Sequence, residues 1–83
     1  MPYFTHIEFG EPHEPKTIIT ATHSYNEDKN GEQIVNVFEY SVEKQDRSGN
    51  FKPLKWSEEA VRITLKAHFW VFGIDNDKTE KII

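Results

Sequence analysis

Three stretches of alternating residues, 3–9, 17–25 and 33–43, are joined by connections too short for a parallel crossover, and that spacing admits only antiparallel neighbours. Tyr3, Thr5, Ile7 and Phe9 share one face of the first stretch, with Phe4, His6 and Glu8 on the other. In the second, Ile19, Ala21, His23 and Tyr25 alternate with Ile18, Thr20, Thr22 and Ser24. In the third, Ile34, Phe38, Tyr40 and Val42 fall on one face with Asn36 out of pattern, while Val35 and Val37 fall opposite. Gly10 ends the first strand, and Pro12 and Pro15 make the following loop stiff, because proline fixes φ and donates no ladder hydrogen bond. Asn30-Gly31 and Ser48-Gly49 supply the positive φ that hairpin turns need, and residues 51–56 follow as a short edge strand marked by Pro53.

Residues 57–74 admit two structures. As a strand, Val61, Ile63, Leu65, Ala67, Phe69 and Val71 alternate without a miss, and β-branched and aromatic residues favour a pleated surface. As a helix over 57–72, Ser57 is an N-cap, Glu58 and Glu59 complement the helix dipole, and Gly73 stops the chain. The composition tips the expectation to strand. The expected fold is therefore mainly β, a single-domain antiparallel meander of about five or six strands spanning 1–83, with a closing strand at 79–83. The alternative is an α+β domain, an antiparallel sheet with one C-terminal helix. Its expected core is Ile7, Phe9, Ile19, Ile34, Phe38, Tyr40, Leu65 and Phe69.

With 83 residues the chain supports a single hydrophobic core. It has no cysteine, so disulfides and thiolate chemistry are excluded. No apolar run exceeds Phe69-Trp70-Val71-Phe72, so neither a membrane span nor a signal peptide is expected, and the expected location is cytoplasmic. No catalytic, cofactor or metal site is expected. His6, Glu8 and His13 lack a convergent ligand spacing, and Asp75-Asn76-Asp77 lacks the glycine and distal glutamate of a calcium loop. The serines lack a nucleophile-elbow context, and His23, on an apolar face, is expected to be a core histidine bonded to a hydroxyl.

Charge is the remaining functional signal. Residues 1–43 carry eight acids against two lysines, whereas residues 44–83 carry eight bases against six acids, for a net charge of −4. Such polarity orients a protein on a charged partner. The expected function is a small acidic, non-enzymatic interaction protein, an inhibitor or immunity-type protein such as phages and toxin systems carry. Its carboxylates would mimic nucleic acid on a protein partner with a basic, nucleic-acid-handling surface. Glu8, Glu11, Glu14, Glu27, Asp28 and Glu32 are the candidate partner-binding acids. Because their two loops lie at opposite ends of the second strand, they should line an edge about 25–30 Å long rather than cluster.

Trp70 and Phe72 form a second candidate surface, since the strand reading leaves both large aromatics on the polar face. A homodimer is one way to cover them. The alternative function is single-stranded nucleic-acid binding through Lys44, Arg47, Phe51, Lys52, Lys55 and Trp56, bases interleaved with aromatics on one hairpin.

Overall fold

The computed structural model describes residues 2–82. The strands are β1 (Pro2–Phe9), β2 (Thr17–Glu27), β3 (Gln33–Gln45), β4 (Phe51–Pro53) and β5 (Thr79–Lys81), with one helix, α1 (Glu58–Phe72). They form one antiparallel sheet in the order β4-β3-β2-β1-β5. The fold is thus mainly β, with four strands as a meander and α1 crossing one face to deliver β5 to the far edge. Of the closing strand expected at 79–83, Thr79–Lys81 forms, and Ile83 lies outside the described residues.

The preference for a strand over 57–74 is overturned: this segment is the helix. Ser57 Oγ accepts from Ala60 N at 3.1 Å, Glu58 and Glu59 occupy the first turn, and Gly73 N donates to Phe69 O with Gly73 at φ +80°. Both patterns are present in the sequence, because Val61, Leu65 and Phe69 repeat at spacing four as well as at spacing two. Tertiary packing decides between them. A fifteen-residue helix lays all three buried side chains on a sheet face that a further strand would leave uncovered.

The core lies between α1 and one face of the sheet, built from Ile7, Ile19, Ala21, Val35, Val42, Val61, Leu65 and Phe69. The expected Ile7, Ile19, Leu65 and Phe69 are buried, whereas Phe9, Ile34, Phe38 and Tyr40 are exposed. For Ile34 and Phe38 the cause is a shift in the β3 ladder. Thr22 pairs with Glu39 but His23 pairs with Val37, so Phe38 is an extra residue in the ladder, a β-bulge. Before it, Gln33, Val35 and Val37 sit opposite the core-facing residues of β2; after it, Tyr40 and Val42 do. The inward set changes from odd to even numbers at Phe38, so Ile34 points away from the helix and Phe38 is 61% exposed. Tyr40 stays on the helix side at the sheet's edge, with its hydroxyl donating to Trp56 O at 3.1 Å.

His23 is fully buried on this face, and it does bond a hydroxyl: Nε2 lies 2.8 Å from Thr5 Oγ1. Its Nδ1 is 3.1 Å from Ser24 O, which can only accept, so Nδ1 carries the proton and Thr5 donates to Nε2. Thr5 Oγ1 then accepts from Thr79 Oγ1 at 3.0 Å, which ties β5, β1 and β2 together through side chains. Burial holds the imidazole below its ordinary pKa, against a smaller opposing effect of the Ser24 carbonyl.

Candidate functional site

With α1 on one side only, the other face of the sheet has no layer over it among the described residues. Side chains alternate along each strand, so the register fixes what this open face carries. Glu8 pairs with Ile18, and Ile18 pairs with Glu43, giving one row across the sheet. Glu80, Phe4, Thr22 and Glu39 make a second row. His6, Thr20 and Ser41 lie between them. Strands about 4.8 Å apart put Glu8 and Glu43 roughly 10 Å apart and Glu80 and Glu39 roughly 14 Å apart, across a hydroxyl-rich strip. Among the described residues, no lysine or arginine occupies a strand position on this face.

The six candidate acids flank this face in two groups. Glu8, Glu11 and Glu14 lie at the β1–β2 end; Glu27, Asp28 and Glu32 lie at the β2–β3 end. The eleven residues of β2, ending in Glu27, separate the two groups by about 35 Å of strand. Several have local partners. Glu8 lies 3.4 Å from His6 Nε2 and 3.9 Å from Lys16 Nζ. Glu27 accepts from the Tyr25 hydroxyl at 3.0 Å. Burial first, and Glu27 second, hold the Tyr25 phenol above its usual pKa. Asp28 Oδ1 accepts from Asn30 N and Glu32 N, both at 2.8 Å, so this carboxylate builds the turn. The expected set, drawn from one strand end and two loops, includes Glu8 of this face and omits Glu39, Glu43 and Glu80. The missed signal was that acids on strands fall on the face opposite Thr5, Ile7, Ile19 and Ala21.

Trp70 and Phe72 are 83% and 64% exposed. As residues of a helix they stand about 200° apart around its axis and do not form one patch. Trp70 belongs instead to an outward apolar stripe with Ile63, Ala67 and Val71. Phe72 stacks at a tilt on His68, with ring centroids 4.8 Å apart.

The basic and aromatic residues of the 44–56 hairpin are divided between faces. Lys44 pairs with Lys52, and Gln45 with Phe51, so the two lysines and Phe51 project to opposite sides. Trp56 packs against the core. Arg47 lies in the turn, with Lys55 exposed beyond β4. No three His, Asp or Glu side chains converge as a metal site among the described residues. No helix of the described residues is long and apolar enough to cross a membrane.

No family model, curated protein or solved structure matches this chain. Its surfaces therefore carry the functional argument alone.

Proposed function

We propose that the chain is a non-enzymatic interaction protein that docks through its carboxylate-bearing sheet face on a basic protein partner. The observation that carries this reading is the open face itself: Glu8, Glu39, Glu43 and Glu80 at strand positions, with no lysine or arginine at a strand position on that face among the described residues. A rigid sheet presents its charges without the ordering entropy that flexible loops would lose on binding. The loop acids Glu11, Glu14 and Glu32 extend the negative surface at either end. A partner built to hold phosphates would meet carboxylates at fixed spacing and be blocked, as an inhibitor or immunity-type protein requires.

Affinity capture from the source cells, at low and at high salt, tests this. The wild-type chain should retain a basic protein that elutes as salt rises, and a Glu8→Lys, Glu39→Lys, Glu43→Lys, Glu80→Lys variant should retain none of it. Equal retention by the folded variant sinks the reading. Single-stranded nucleic-acid binding through the 44–56 hairpin has less support, because Trp56 is packed inward and Phe51 faces away from Lys44 and Lys52. Mobility shift with short single strands separates the two readings.

A further inference from the structure

We propose that the open sheet face holds a receptor for one arginine side chain of the docking partner, a slot between Phe4 and Glu39 floored by Thr20, Thr22 and Ser41. The inference rests on that face being the docking surface and specifies the side chain it takes up. The register builds the slot. Phe4 and Glu39 both pair with Thr22, from the strands on either side of β2, so their Cα atoms stand about 10 Å apart with a short threonine between them. Thr20 and Ser41 pair in the neighbouring row of the same face. Glu39 reaches its place through the bulge. Without the extra residue, the pairing of His23 with Val37 would bring Phe38 opposite Thr22 and turn Glu39 to the helix side.

A hollow of about 160 Å³ opens between these side chains. That is below the range of small-molecule cavities and suits a single side chain. Its lining sets the occupant, since it contains one carboxylate and no lysine, arginine or histidine. Glu39 is exposed and has no ion pair among the described residues. A cation is therefore favoured over an anion or a neutral group. Phe4, 38% exposed, adds ring surface that attracts a cation.

Of the two strongly basic side chains, arginine fits both walls. Its flat guanidinium lies against the Phe4 ring while its fork of N–H groups donates to the Glu39 carboxylate and to the hydroxyl oxygens of the floor. A lysine ammonium is a compact, strongly hydrated charge that offers no flat surface and no fork. The walls and floor stand on three adjacent paired strands, so little backbone has to be ordered when the side chain enters.

The peptide acetyl-Gly-Arg-Gly-amide is the probe, followed by aromatic-proton and backbone-amide NMR shifts. Saturable shifts at the Phe4 ring and at the Thr22 and Glu39 amides are expected at ~10 mM peptide. The citrulline peptide, of the same shape without the charge, and the lysine peptide should each bind about fivefold or more weakly. Glu39→Gln should weaken the arginine response to a similar degree, whereas Asp75→Asn, which removes one exposed charge elsewhere, should leave it unchanged. Equal binding of the arginine peptide and either analogue to the wild-type chain overturns the proposal, a comparison that needs no variant to fold. So does the absence of saturable shifts at Phe4, or an equal loss in the two variants. Docking of the whole face is judged separately, by the four-glutamate reversal, so the slot can fail while the docking surface stands.

Discussion

His23 Nε2 and Thr5 Oγ1 lie 2.8 Å apart, both residues fully buried, so the centre of a small apolar core contains a neutral imidazole held by a hydroxyl. The bond joins β1 to the central strand β2 beside Phe69, whose ring centroid is 5.3 Å from that of His23. Isolated polar groups in such a place are costly, and this pair removes the cost only while the ring stays uncharged.

Stability should consequently fall on acidification. The folded pKa of His23 lies below its unfolded value of 6.5, so above pH 6.5 both states are neutral and the folded chain keeps its full stability. As pH drops through 6.5, the unfolded chain takes up a proton that the folded chain refuses, and stability is lost progressively until the folded pKa is reached. Urea denaturation at pH 7.5 and pH 5.5 measures this. His23→Gln should flatten the dependence, and Thr5→Val, which strands Nε2, should cost about 1–3 kcal/mol at neutral pH. A His23→Gln profile identical to that of the wild type would contradict the argument.

The bulge makes a sharper test of β3. Val35→Ala and Val42→Ala should each cost about 1.5–3 kcal/mol, whereas Ile34→Ala and Phe38→Ala should cost well under that. Deleting Phe38 leaves Val35, Val37, Tyr40 and Val42 in strict alternation, so the shortened chain should still fold with the same residues inward. Deleting Ser41 instead puts Val42 on the wrong face and should be far more damaging. Comparable losses for both deletions would refute the parity switch.

At the helix ends, Ser57→Ala should cost about 1 kcal/mol through the lost cap on Ala60 N. Gly73→Ala should cost a similar amount, since φ of +80° strains any residue with a Cβ even though the surrounding space is open. Thermal melts of the two variants, with helicity followed by circular dichroism, check both.

Trp70 should be freely quenched by iodide, and Trp70→Ala should change stability by no more than about 0.5 kcal/mol, because 83% of the residue is already in water. Trp56, packed against the core, should resist quenching. A protected Trp70 in solution would mean that the outward stripe of α1 is covered, and the protein's mass in solution would then show whether a second copy covers it.

Reversal of the exposed loop acids Glu11 and Glu14 should slow association with a basic partner while leaving the melting temperature nearly unchanged. Rates from surface plasmon resonance over a salt series distinguish this from a folding defect. Association independent of salt would argue against docking by charge.

The sequence by itself determined the antiparallel sheet, its turns and the inward faces of β1 and β2, because short connections and period-two alternation admit no other pairing. It also marked His23 as a core residue from its place among Ile19, Ala21 and Tyr25. Alternation could not choose between helix and strand for 57–74, since Val61, Leu65 and Phe69 satisfy both periods, and the choice fell to the sheet face that needed covering. Nor could it place the bulge at Phe38, a one-residue event that inverts every later side chain and carries no residue signature of its own. The open acidic face follows from those two decisions. Only once α1 occupies one side of the sheet do Glu8, Glu39, Glu43 and Glu80, far apart in the chain, stand together on the other.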